Sequence, residues 1–243
     1  MITADSLEIT DSALAALRKK IAGYMSGRRL EHTLAVEQAA IEIGRIYAPD
    51  KLPKLQAAAL LHDITKEYSI EKQLQICVEF GIIVNNLDIF MPKIFHAATA
   101  AALIPRDFPE FNDREIISAV RWHTTGHENM KLCDRIIYLA DYIDGTRIFE
   151  DCIKLRKYYK NGLKSLLSGN NTFKDADALN LHLINTLILS FDMSLKELSK
   201  EGRMIHQNMI AARNTMLYEK LTIQNQLNSR SKDLHELQKR EQE

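Results

Sequence analysis

Cysteine is scarce in this 243-residue chain: Cys77, Cys133 and Cys152 are an odd, scattered set with no C-x-x-C pairing. That usage argues for a reducing compartment and against thiolate metal ligation. An excess of either charge is also missing, since 32 Lys and Arg balance 32 Asp and Glu. Nothing in the balance suggests an extended nucleic-acid footprint, so any phosphate recognition must be local. The N-terminal MITADSLEIT carries acidic residues in place of a cationic leader, and no later stretch is expected to reach the ~20 apolar residues of a membrane span. These absences point to a soluble, cytoplasmic protein. Proline is absent after Pro109, which predicts long helices beyond residue 113.

With 46% hydrophobic residues the chain can bury a sizeable core, and one principal domain with an appendage is expected. Apolar residues return every three or four positions and no sustained two-residue alternation occurs, which predicts an all-α fold. Ser6 is read as opening a first helix through Ala13, Ala16, Leu17 and Ile21, and a second helix is predicted from Thr33 to Tyr47. A third, from about Leu55, runs through Ala57, Ala58, Ala59, Leu60 and Leu61 into His62 and Asp63. The glycines and asparagines between Lys160 and Asp175 read as a turn or loop. A helical pair from Ala178 to Leu221 should break near Gly202, and residues 222–243 form a polar helical extension in which Leu227, Leu234 and Leu237 permit a short coiled-coil seam.

The chemistry is concentrated in His32, His62, Asp63, His96, His123 and Asp141. Imidazole and carboxylate suit iron, manganese or zinc, and six such groups exceed what one open-sided metal takes from protein, so two neighbouring metals are expected. His62 and Asp63 follow an apolar run in which an ionised carboxylate needs a cation or a tight hydrogen-bond network. His123 lies seven residues after Ile116 and three after Val120 on an inward stripe, and Asp141 sits inside the apolar run IIYLADYI. Lys66 is read as sharing a helical face with His62. Arg147 reaches the cavity only if its helix ends near Gly145, and Thr124 and Thr125 offer hydroxyls at a helix end. Arg29 is a weaker candidate for phosphate. Ser26, Ser69 and Cys133 are read as structural, His182, His206 and His235 as surface residues, and Trp122 as core.

Taken in order, RLEHT at 29–33, LHDITK at 61–66, HTTG at 123–126 and IYLADYIDGTR at 137–147 resemble the HD-domain metal-dependent phosphohydrolases, more narrowly the YqeK-type symmetrical diadenosine tetraphosphate hydrolases. AARN at 211–214 is similar to that branch's C-terminal helix. The resemblance implies an HD-domain helical bundle with a core of about 25–150 inside a domain of 1–221 and additional C-terminal helices. It implies a first metal on His32, His62, Asp63 and Asp141, and a second on His96, His123 and a bridging Asp63. The ions are read as iron, with manganese or cobalt as substitutes. Asp63 and Lys66 take the catalytic roles, and Lys66, Thr124, Thr125, Arg147 and Arg29 bind substrate. A metal-bound hydroxide would split diadenosine tetraphosphate into two ADP. The alternatives are an HD nucleotidase acting on another nucleotide and a catalytically inactive nucleotide sensor. No nucleic-acid or membrane partner is expected, and a homodimer is left open. Asp144 and Gly145 stand where the family usually has Glu-Pro, and Ala97 and Ala100 replace glycines, which bears on substrate fit.

Overall fold

The computed structural model describes residues 8–168 and 176–240, the last ten by their backbone alone. Ten α-helices and four short 3-10 turns make up its regular structure, and no strand occurs among the described residues. The helices are α1 (Asp11–Ile21), α2 (Gly27–Tyr47), α3 (Leu52–Leu61), α4 (Ile70–Glu79), α5 (Phe95–Asp107), α6 (Arg114–Trp122), α7 (Leu132–Ile143), α8 (Glu150–Ser168), α9 (Ala176–Lys200) and α10 (Gln207–Arg240). The protein is all-α, as its sequence predicts.

The bundle is organised around α3, which contacts α1, α2, α5, α6 and α7. Leu55, Ala57, Ala58, Ala59, Leu60 and Leu61 are all buried. The run from Ala57 to Leu61 is apolar on every face of the helix and has to be covered on every face, and three consecutive alanines allow its neighbours to approach closely. Serine caps define the flanking starts: the Ser26 hydroxyl accepts from the Arg29 N–H at the head of α2, and the Ser69 hydroxyl from the Lys72 N–H at the head of α4. Helix α2 therefore begins at Gly27, six residues before the expected Thr33. Glu67 fixes the Ser26 cap by accepting from its N–H at 2.6 Å and its hydroxyl at 2.7 Å.

Three other sequence expectations change. Thr10 caps α1, and Ser6 lies outside the described residues. The expected loop after Lys160 is helical as far as Ser168, and the remainder, 169–175, falls outside the described residues. Gly162 is needed inside that helix because a Cβ there would meet the His182 ring at 2.5 Å. His182 is accordingly a buried residue and not a surface one: its Nε2 lies 3.0 Å from the Tyr159 carbonyl and its ring stacks on Tyr159. His206 is half-buried, 3.5 Å from Asp88. The side chain of His235 lies outside the described residues.

Contrary to the expectation that no stretch is apolar enough for a membrane span, helix α9 is long and apolar enough, by length and composition, to cross a membrane. Its buried residues Leu183, Ile184, Leu187 and Phe191 pack as a core face, in contact with α7, α8 and α10. The break after it falls at Gly202, where φ is +63°. Helix α10 then runs without interruption past residue 221 to Arg240. Leu227 is half-buried, while the side chains of Leu234 and Leu237 lie outside the described residues.

Candidate metal centre

Six side chains from separate parts of the bundle meet at the lower end of α3. His32 projects from the second turn of α2, and His62 and Asp63 follow the last residue of α3. His96 begins α5, His123 closes α6, and Asp141 lies near the end of α7. His32, His62, Asp63, His96 and His123 are buried, and Asp141 keeps an 18% exposed side chain.

Local hydrogen bonds aim the rings. His62 Nδ1 is 2.6 Å from the Ala59 carbonyl and His123 Nδ1 is 2.8 Å from the Val120 carbonyl, so each donates there and keeps a lone pair on Nε2. Asp63 has a carboxylate oxygen toward each side: Oδ1 is 3.2 Å from His96 Nε2 and 3.6 Å from His123 Nε2, whereas Oδ2 is 3.4 Å from His62 Nε2 and 3.9 Å from His32 Nε2. Asp141 Oδ1 lies 3.0 Å from His32 Nε2 and 3.9 Å from His62 Nε2.

These donors fit a metal. His32 Nε2, His62 Nε2 and Asp63 Oδ1 are buried and make no hydrogen bond, although the Asp141, Asp63 and His96 side chains respectively lie within 4 Å of them. Such atoms are costly to bury unpaired, and their convergence on common space is the arrangement of ligands. Two trios have all their ligand atoms within 4.8 Å of one another: His32, His62 and Asp141, and His62, Asp63 and His123. His62 is thus common to both trios, where the expected partition made Asp63 the shared ligand; Asp63 nevertheless faces both sides. His96 belongs to neither trio, but its Nε2 is 3.0 Å from His123 Nε2.

Electrostatics follow from burial and pairing. Burial opposes ionisation of Asp63, yet His62, His123 and His96 hold it well below the usual carboxylate range. Asp141 is likewise lowered against burial, chiefly by Arg147 and His32. Burial disfavours a charged His32 ring, but Asp141 and Asp144 raise it to about 9, while burial outweighs Asp63 at His96 and lowers it to about 4.

Cations ring the cluster. Arg29 donates to Asp63 Oδ2 at 2.7 Å, a closer role than its weak standing in the sequence suggests. Arg147 reaches Asp141 because α7 stops at Ile143 and the chain turns through Asp144 and Gly145. Lys66 does not share a helix with His62, since α3 ends at Leu61 and residues 62–67 form turns. Its Nζ lies 3.0 Å from His96 Nε2 and 3.8 Å from Asp63, and burial lowers its pKa. The Thr124 hydroxyl lies 3.2 Å from His96 Nε2 and 3.1 Å from His123 Nε2. The Thr125 hydroxyl donates to the Gly126 carbonyl in the turn behind. Gly126 adopts φ +63° and packs so tightly that a Cβ would meet Phe191 at 2.8 Å.

Asp144, read from the sequence as a departure affecting substrate fit, is fully buried beside the cluster. Its Oδ2 lies 3.5 Å from His32 Nδ1 and 3.4 Å from Arg147, while Oδ1 accepts from Thr146 N–H at 2.8 Å. Arg156 of α8 secures this turn by donating to the carbonyls of Ile143, at 2.7 Å, and Arg147, at 2.9 Å. Only the oddity of an acid next to Gly145 signalled Asp144; nothing in the local sequence marked Arg156. Trp122 is half-buried with its ring tilted against His127 at 4.7 Å between centroids, so it is only partly a core residue. Tyr138 is buried against Phe191, and Tyr142 lines the cleft outside the cluster. That cleft, about 1640 Å³ in volume, has Asp141, Arg147, Thr124 and Thr125 in its wall.

Comparison with known proteins agrees with this geometry. The HD domain family matches residues 29–146, a span that contains all six cluster residues. A Bacillus subtilis symmetrical bis(5'-nucleosyl)-tetraphosphatase is 31% identical over 157 residues, covering 65% of this chain and 81% of the relative. The Halalkalibacterium halodurans protein of the same name is 26% identical, covering 81% of this chain and 92% of the relative. A crystal structure from Clostridium acetobutylicum, described as a predicted HD superfamily hydrolase involved in NAD metabolism, superposes with a TM-score of 0.71 at 28% identity over 85% of this chain and 97% of that one. A buried cluster built from an HD pair and a relative at 31% identity matched over 81% of its length lead to one assignment: the chain belongs to the HD-domain symmetrical bis(5'-nucleosyl)-tetraphosphatase family and is an HD hydrolase.

Proposed function

We propose that the protein hydrolyses diadenosine tetraphosphate symmetrically, in the cytoplasm, with two divalent ions held by His32, His62, Asp63, His96, His123 and Asp141. The observation that carries this reading is the convergence of those six groups beside the wall of a large cleft that also presents Arg147, Thr124 and Thr125. Iron is the native metal in this reading, and manganese or cobalt can replace it. When bound, such ions supply Lewis acidity and lower the pKa of water from ~15.7 toward ~7.

The protein's own residues position the substrate and absorb charge. Asp63 faces imidazoles on both sides and fixes the centre of the site; Arg29 holds its Oδ2. Lys66 and Arg147, anchored at His96 and Asp141, place positive charge where non-bridging phosphate oxygens gather, and the Thr124 hydroxyl adds a donor. Water adds to an inner phosphorus and the central P–O–P bond breaks. One ADP leaves with the bridging oxygen and the other keeps the oxygen from water, with the released proton passing to solvent.

Product analysis with anaerobically purified protein supplied with iron or manganese tests the reaction. ADP as the sole product is expected; ATP plus AMP rejects this cleavage mode, and absence of turnover with metals bound favours the nucleotide-sensor alternative. The description of the Clostridium relative supports a second reading, hydrolysis of a pyridine dinucleotide, which NAD in the same assay separates by its mononucleotide products.

A further inference from the structure

The cleft extends well beyond the cluster. At about 1640 Å³ it exceeds the ~300–1,000 Å³ common for small-molecule sites. Its wall mixes polar and aromatic residues. Asp141, Arg147, Thr124 and Thr125 supply polar groups, and Phe90 and Phe149 supply aromatic rings. Phe90 ends a 3-10 turn before α5, and Phe149 lies two residues after Arg147 in the turn that leads into α8. Each is 68% exposed, unlike Phe95, Phe108, Phe111 and Phe191, which are buried in the protein. One exposed phenylalanine needs no explanation, but two from distant parts of the chain that line one cleft call for a partner.

We propose that Phe90 and Phe149 are the nucleobase-binding surface of this cleft, stacking on a purine ring whose phosphates reach the Asp141–Arg147 part. The inference rests on the nucleotide reading above and extends it to the base. A nucleotide has an anionic end and a flat, weakly polar end, and the same wall offers a cation at Arg147 and, two residues on, an exposed aromatic ring at Phe149. Every base offers a π-face, so aromatic rings hold it with little demand on hydrogen-bond geometry. The charged residues of both signs in the same wall, including Lys93, Glu150, Lys154 and Glu197, disfavour a second protein copy as occupant, because the centre of a protein interface is depleted in charge.

The test compares ADP with inorganic pyrophosphate, which lacks the base, by calorimetric titration of the full-length manganese-loaded protein. Phe90→Ala and Phe149→Ala should each weaken ADP binding by roughly ten- to a hundredfold while pyrophosphate binding and manganese content stay as in the wild type. Phe149→Tyr should retain ADP affinity. Unchanged ADP binding in either Ala variant, an equal loss of both ligands, or wild-type protein that prefers pyrophosphate to ADP overturns the assignment. So does a change of sedimentation coefficient in the Ala variants, which would mark the rings as a contact between copies. The symmetrical reaction stands or falls separately, on whether diadenosine tetraphosphate yields ADP, since neither titration requires turnover.

Discussion

Helices α3 and α10 put opposite demands on their residues. The shorter, α3, is enclosed by five other helices and has a continuous buried run from Ala57 to Leu61; α10 spans 34 residues, contacts α9 along its flank and buries only Met209, Ala212 and Met216 among its described side chains. The difference shows why the site is where it is. A helix whose last turns are apolar all round can deliver His62 and Asp63 directly into a dry interior, where charge must be matched by ligands, cations or hydrogen bonds. A helix covered on one side can brace the bundle but leaves its polar groups to water. The largest expected effect follows from that contrast: Asp63→Ala should abolish metal retention and activity together, as read by elemental analysis and product formation. A variant that keeps the wild-type metal content and turnover would sink the ligand assignment.

The enclosure of α3 has its own energetic signature. Leu61 is fully buried in the core, and Leu61→Ala should lower unfolding free energy by about 2–5 kcal/mol in denaturant titration. A loss below about 1 kcal/mol would show that the helix end collapses around the gap, and would weaken the view that α3 is a rigid mount for the cluster.

A smaller change should reach the metal through a neighbouring residue. Asp144 lies between His32 and Arg147, and its Oδ2 makes no hydrogen bond despite complete burial. Asp144→Asn removes the charge that orients the His32 ring, so metal affinity should fall by about 10–100-fold in a chelator competition. Asp144→Glu, which restores the acid more usual in the family, should recover most of it. Equal affinity in wild type and Asp144→Asn would reduce Asp144 to a residue that merely shapes the turn.

Much of this arrangement could be read from the chain because buried polarity is conspicuous within apolar sequence. His62–Asp63 after five apolar residues and Asp141 inside IIYLADYI announce themselves, and five of the six groups form the two trios, with His96 joined to them through Asp63 and His123. The all-α architecture followed from periodicity in the same way. Local readings failed where tertiary contacts decide. His182 looks like any surface histidine until Gly162 of α8 leaves room for its ring, and Arg29 looks solvated until α2 brings it against Asp63. Lys66 was placed by helical spacing on a helix that ends at Leu61, because a run of apolar residues does not disclose where its last turn opens. Phe90 and Phe149 carried no signal, since a phenylalanine between turns reads as ordinary core until its exposure is known.

The smallest effect lies on the C-terminal half of α10, at Arg230. Arg230 is 70% exposed and pairs with Asp177 of α9 at 3.2 Å, beyond the residue-221 boundary at which the sequence suggested an extension. Surface ion pairs of this type contribute ~0–1 kcal/mol, because solvent screens the charges and ordering two long side chains costs entropy. Arg230→Ala should therefore shift unfolding free energy by no more than about 0.5 kcal/mol and leave metal content unchanged. A loss above about 1 kcal/mol would mean that the C-terminal half of α10 is energetically part of the bundle, and the contrast with α3 would then be one of degree. A stable variant with depleted metal would be more consequential, since it would require coupling between this surface and the cluster that one-sided packing against α9 does not supply.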